Sequence, residues 1–342
     1  MRRRLRKAVE AAVIAGMAAG LIAGTSTAAA APTVQAFPKI VDTVGHGPAQ
    51  AGFWSAYGYA VTHPNEAPAG ANDFSCKPKA GQRPVILVHG TFENAYANWA
   101  AFAPALKRAG YCVFTPNYGR TTFVDRGGVA VVLPSTVGVG DIARSATQFG
   151  AYVDRVRRAT GSDKVDVIGH SQGGLVARQW IKSGGGADAG HPPKRKIGTL
   201  ITFGTPNHGT TLLGLAWIGR QMSNAGFDIL GFSSWMYGAG AIDQTVDSPF
   251  IRQLNQSRET YPGIRYTVVG TRYDEVVTPY ESTFLKGRKV ENIELQKGCA
   301  ADTSDHLSMS YSPRAISIAL HALDPEHHPD LVCSANPWFF SF

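Results

Sequence analysis

Residues 165–180 read VDVIGHSQGGLVARQW: Val165, Val167 and Ile168 run into Gly169-His170-Ser171-Gln172-Gly173, and a second apolar series starts at Leu175. A short apolar run ending in glycine has the pattern of a strand buried on both faces, and the residues from Gln172 onward read as a helix. Ser171 therefore sits in a tight turn between a strand and a helix. Such a turn is strained, and glycine at 169 and 173 removes side chains that would strike the adjoining strand and helix. A helix that starts directly after Ser171 also points its free N–H groups and the positive end of its dipole at that residue, which favours an anion there.

The chain around this stretch alternates strands with helices. RPVILVHG (83–90), YCVFTPN (111–117), KVDVIG (164–169), KIGTLITFG (196–204), IRYTVVG (264–270) and VENIELQ (290–296) read as strands. NAYANWAAFAPALKRAG (94–110) reads as one helix despite Pro104, and PRAISIALHAL (313–323) as a closing helix. DIARSATQFGAYVDRVRRATG (141–161) spaces Ile142, Ala146, Phe149, Val153 and Val156 at helical intervals and ends in a C-cap glycine. The alternation predicts an α/β fold, a mainly parallel sheet of about six strands with helices on both faces. In such sheets a site lies at the carboxyl ends of the strands.

The ends of the chain read differently. MRRRLRK is cationic, AVEAAVIAGMAAGLIAG is apolar and TSTAAAAP is rich in small residues, the order of a secretory signal peptide cleaved after Ala30. The apolar run is too short and too rich in alanine and glycine for a span. Residues 1–30 carry a net +4 of the chain's +8, so the basic balance is partly a targeting feature, and the remaining scattered charges do not suggest nucleic-acid binding. Residues 31–82 form an arm without sustained period, which Phe53, Trp54, Tyr57 and Tyr59 fasten to the core. The catalytic domain is expected over 83–342. Four cysteines in an exported chain suggest two disulfides, and spacing favours Cys76 with Cys112 and Cys299 with Cys333. The cysteines lack the close spacing of a zinc site, and there is no His-Glu-x-x-His, so neither metal nor cofactor is expected.

One segment breaks the alternation. Between Thr211 and Gly240 only Arg220 and Asp228 are charged, while Leu212, Leu215, Ile218 and Met222 fall at helical spacing. Residues 211–250 are expected to form a small apolar cap, with Leu212, Leu213, Trp217, Phe232 and Trp235 as substrate-contacting residues.

Gly169-x-Ser171-x-Gly173 after a buried strand and before a helix has the context of a nucleophile elbow. A serine hydroxyl needs a base to take its proton. Among ten histidines, His170 should point away from Ser171, and His89 and His208 lie in loops after strands. His306 lies between the last strand and the closing helix, at the carboxyl edge, and is the candidate base. Asp274, directly after IRYTVVG, is the carboxylate to orient it, with Glu275, Asp302 and Asp305 as rivals. The N–H groups of Gln172 and Thr91 are the expected oxyanion donors, Thr91 because it follows the first core strand.

VHGTFENAYANWAAFAPALKRAGYCVFTPNYG, GHSQGGLVARQW, FGTPNHGT and GTRYDEVVTP resemble the secreted bacterial class 2 lipases of the α/β-hydrolase superfamily, over roughly residues 72–325. The resemblance implies that fold, Ser171, Asp274 and His306 as triad, Thr91 with Gln172 as oxyanion hole, and lipid or small ester substrates. It implies nothing for the arm 31–71 or the tail PDLVCSANPWFFSF. A triacylglycerol lipase is the expectation; a short-chain carboxylesterase or polyester hydrolase is the alternative. A binding protein on the same fold is disfavoured by the intact serine, acid and histidine.

Overall fold

The computed structural model describes residues 44–338, apart from 123, 126, 129–130, 132–134, 187–194 and 212–236. The expected leader and the residues Leu212, Leu213, Trp217, Phe232 and Trp235 lie outside the described residues.

Five short, mainly apolar runs and one half-exposed polar strand form one parallel sheet: β1 (Val85–Val88), β2 (Val113–Phe114), β3 (Val165–His170), β4 (Ile197–Phe203), β5 (Arg265–Gly270) and the polar β6 (Val290–Glu294). Their order is β2-β1-β3-β4-β5-β6, with every pairing parallel. The chain steps from β1 outward to β2 and then crosses back to β3, so the order reverses between β1 and β3. Ligand sites of open parallel sheets open at such a reversal, outside the carboxyl ends of the strands.

Alternation along the strands divides the core into two layers. Ile86, Val88, Val167, Leu200 and Val268 face the helices α4 (Ile142–Thr160), α5 (Gln172–Ser183) and α7 (Pro249–Asn255). Leu87, Ile168, Ile201, Phe203 and Val269 face α2 (Ala95–Trp99), α3 (Phe102–Arg108) and α8 (Pro313–Leu323). Helix α4 buries Ile142, Ala146, Phe149, Val153 and Val156; Asp141 caps its start by accepting from the Arg144 N–H, and Gly161 ends it at φ 75°.

The stretch 94–110 is two helices, not one. Pro104 has no N–H to donate and is accommodated only in the first turn of a helix, so the chain breaks at Ala100–Ala101 and α3 restarts with Pro104 in its first turn. The edge strand β2 keeps only two residues of the seven expected. Within the segment read as an irregular arm, α1 (Phe53–Thr62) buries Phe53, Ala56 and Ala60 against Tyr96, Ala97, Ala100 and Tyr311. The helical period turns Trp54 outward, 57% exposed, with its ring 5.2 Å from Phe53 and 6.1 Å from Tyr57 between centroids. Cysteine pairs Cys76–Cys112 and Cys299–Cys333 are bonded.

Of the expected cap, Thr211 and residues 237–250 are described. Helix α6 (Ala239–Asp243) packs on the loop before α4, with the Gly240 N–H on Val139 O and the Asp243 carboxylate accepting from the Ile142 N–H at 3.1 Å.

Candidate active site

At the carboxyl end of β3 the chain turns so sharply that Ser171 takes φ 50° and ψ −125°, a region that costs a non-glycine residue of order 1–3 kcal/mol. The strain is held by its neighbours: the Ser171 N–H donates to Phe203 O of β4 at 2.8 Å, and α5 starts at the next residue. A Cβ on Gly173 would lie 2.1 Å from Val88 O, and one on Gly169 would lie 2.6 Å from the Gly174 nitrogen. Both glycines are therefore demanded by close backbone approach.

His306 lies in the loop between β6 and α8, with its Nδ1 3.0 Å from Asp274 Oδ2. Asp274, four residues past β5, is itself fixed because its Oδ1 accepts from the N–H groups of Val276 (3.0 Å) and Val277 (2.6 Å). Both side chains are buried. Burial disfavours charge on His306, yet the Asp274 carboxylate, by its charge and its hydrogen bond, and the charges of Glu275 and Glu93 outweigh it and raise the imidazole to about 9. A histidine whose Nδ1 is committed to a carboxylate presents Nε2 as the proton acceptor. The ring lies over Gly204, at the end of β4 beside the strand that delivers Ser171.

The Thr91 loop follows β1. Gly90 O faces His89 Nδ1 at 2.8 Å, and because a carbonyl only accepts, Nδ1 carries the hydrogen. In a trans peptide the C=O and the following N–H point oppositely, so this bond also aims the Thr91 N–H. Thr91 Oγ accepts from Gln172 Nε2 at 3.1 Å and from Gln244 Nε2 at 2.9 Å. With both lone pairs engaged, that hydroxyl can only donate onward. Gln244, just after α6, ties the described part of the expected cap segment to this loop; nothing in its local sequence signalled that contact.

The other histidines weighed as the base are placed elsewhere. His89 is fully buried and stacked on Tyr118 with ring centroids 4.2 Å apart, and burial pushes it down to about 4. His170 points away from the cleft, with Nε2 on His306 O at 2.9 Å. His208 bridges Ser282 O and the Glu259 carboxylate. Glu275 does not orient the ring: its Oε2 accepts from the His306 backbone N–H at 3.5 Å. Asp302 and Asp305 accept from Ser304, Ser308 and Ser312 and shape the loop that carries His306. Among the described residues no group of three or more His, Cys, Asp or Glu side chains is arranged to hold a metal ion, and no helix is long and apolar enough to cross a membrane.

A serine at a helix N-terminus, a carboxylate-held histidine and two loops presenting N–H donors can together perform acyl transfer. Comparison with known proteins points the same way. The family model for Lipase (class 2) matches residues 82–316. A triacylglycerol lipase of Pseudarthrobacter phenanthrenivorans is 32% identical over 136 residues, 38% of this chain and 35% of that protein. A triacylglycerol lipase of Burkholderia plantarii is 32% identical over 136 residues, 38% of this chain and 31% of that protein. The match thus spans about a third of the length of these curated relatives. The crystal structure of Aspergillus fumigatus lipase B aligns with 75% of this chain and 55% of that one at a TM-score of 0.54 and 20% identity, a likeness of fold.

Proposed function

The chain belongs to the class 2 lipases, and from that premise we propose that it is an exported carboxylic ester hydrolase, a triacylglycerol lipase working through an acyl-enzyme. In this reading Ser171 Oγ attacks the ester carbonyl while His306 Nε2 takes its proton. The oxyanion forms hydrogen bonds with the N–H groups of Thr91 and Gln172 and with the Thr91 hydroxyl. Collapse expels the alcohol, which receives the proton from His306; water then repeats the sequence and frees the acid and Ser171. The single observation that carries the proposal is the fixed His306–Asp274 pair, at 3.0 Å, beside a serine held at φ 50° on the carboxyl edge. Removing one oxyanion donor typically costs about 100- to 1,000-fold in turnover.

The domain scheme belongs to the same proposal: a leader over 1–30, an arm over 31–82, a catalytic domain over 83–342 and an apolar cap over 211–250. Two disulfides suit an exported protein. The cap composition argues for a lipid-like acyl group, since each buried CH2 contributes about 0.8 kcal/mol.

Ser171→Ala is expected to keep the fold and to lower turnover of a chromogenic ester by at least about 1,000-fold. A folded mutant that still turns over removes the nucleophile from the scheme. Rates from acetate to oleate esters, below and above the solubility limit, then decide the substrate. A maximum at acetate without response to an interface replaces the lipase with a short-chain esterase or polyester hydrolase.

A further inference from the structure

Beneath the site lies a group of buried polar side chains that acyl transfer does not use: Glu93, Asn98, His170 and Ser310, each 3% exposed or less. Asn98 lies on α2, His170 ends β3 one residue before Ser171, and Ser310 lies in the 3-10 turn Ser308–Tyr311 just after His306. Such residues are buried only when their hydrogen bonds are met, so the direction of each bond can be worked out.

Two groups with no choice of role terminate the chain of bonds. At one end the Gly90 N–H, an obligate donor, meets Asn98 Oδ1 at 2.9 Å and Glu93 Oε2 at 3.3 Å. At the other end His306 O, an obligate acceptor, meets His170 Nε2 at 2.9 Å. The first fixes the Asn98 amide, so its Nδ2 donates to His170 Nδ1 at 3.0 Å and to Ser310 Oγ at 2.9 Å. The second fixes the imidazole: Nε2 carries hydrogen and Nδ1 accepts. Turning the Asn98 amide over would set its N–H groups against the Gly90 N–H, so the direction is determined from both ends. Glu93 Oε2 stands 3.4 Å from His170 Nδ1, farther than Asn98, and the His306 ring is 5.0 Å away between centroids.

The two ends are the backbones of the two loops that acyl transfer must keep in register. Gly90 precedes the oxyanion donor Thr91, and His306 is the base. We propose that Asn98 and His170 are positioning residues that form a one-directional hydrogen-bond relay holding the Thr91 loop to the His306 loop. Together with Glu275 on the His306 N–H and Asp274 on its ring, the relay fixes the base at three points. A histidine that merely fills the core would have no need to end on the carbonyl of the base.

The kinetic arm of the test rests on the ester-hydrolase reading, whereas the spectroscopic arm does not. In the wild-type protein labelled with 15N-histidine, with His170 assigned by its loss in His170→Gln, Nε2 is expected protonated and Nδ1 unprotonated at neutral pH. A proton on Nδ1 overturns the relay whether or not the protein hydrolyses esters. In kinetics with a soluble ester, His170→Phe keeps the ring shape without either bond and is expected to lower kcat about 100-fold with little change in KM, the scale of an ångström-sized misplacement. His170→Gln restores a donor to His306 O and is expected to regain about tenfold of that loss. A folded Phe variant with wild-type kcat, or a folded Gln variant no better than Phe, overturns the proposal. Asn98→Asp still accepts from Gly90 but cannot donate, so with Nε2–H still held by His306 O it should add a hydrogen at His170 Nδ1, a doubly protonated ring in the same spectrum; an unchanged spectrum there also overturns it.

Discussion

At the scale of single residues, the proposed mechanism sets electrostatics against catalysis at His306. Burial works against its charge, yet Asp274, Glu275 and Glu93 raise it from 6.5 to about 9. Because the folded value lies above the unfolded one, the charged imidazole stabilises the fold fully below about pH 6.5, and that contribution is lost as pH rises through about 9. A general base must be neutral, so kcat/KM is expected to increase over the same window, up to about pH 9, while stability falls. Glu275→Gln keeps an acceptor for the His306 N–H and removes one charge, and should move the activity limb to lower pH. An unshifted midpoint in the kcat/KM profile would show that Glu275 acts on the backbone alone. The placement of Ser171, Asp274 and His306 at the carboxyl edge was legible because a strand end is a position along the chain. Glu275 was legible only as a rival acid. Asn98 was not legible at all, since its partner His170 is 72 residues away and an asparagine in a short helix looks ordinary.

At the scale of elements, the unit that decides the fold is β3, its turn and α5, because α5 must run back across β1 at backbone contact. That contact makes Gly173 a packing residue. Gly173→Ala would set a methyl 2.1 Å from Val88 O, where only backbone could yield, and is expected to cost about 1–3 kcal/mol or more. Gly58 supplies the control: it lies within α1 with nothing within 4 Å of its virtual Cβ, so Gly58→Ala should stabilise by about 0.5–1 kcal/mol. Urea midpoints moving in opposite directions would support this reading; equal shifts would count against it. Elements whose pattern and caps agree, such as α4, were readable in full. The stretch 94–110 was misread because alanines carry little periodic signal, and α1 was missed because its period is weak and Gly58 interrupts it. Its burial against Tyr96 and Tyr311 supplies what local sequence does not.

At the scale of the whole molecule, the two disulfides close loops of nearly equal length but stand at opposite edges of the sheet. Cys76–Cys112 clips the chain just before the amino end of β2, away from the carboxyl edge. Cys299–Cys333 lies at the foot of the loop that carries His306. It anchors a tail whose buried Asn336 donates to Ser304 Oγ at 2.8 Å and Ser308 O at 3.0 Å and accepts from the Thr303 N–H at 3.1 Å. Arg314 and Ser317 of α8 hold the same tail through the Val332 backbone. A tail with no readable motif thus backs the His306 loop from behind, a role that depends on distant hydrogen bonds. In the chain-entropy model, separations of 36 and 34 residues predict nearly the same loss, roughly 3–4 kcal/mol, when either pair is replaced by serine. Only the Cys299→Ser, Cys333→Ser protein should also lose kcat at temperatures where it stays folded, because only there is the His306 loop released. If both double variants kept wild-type kcat, or lost it equally, the tail would be a stabilising clasp with no hold on the base.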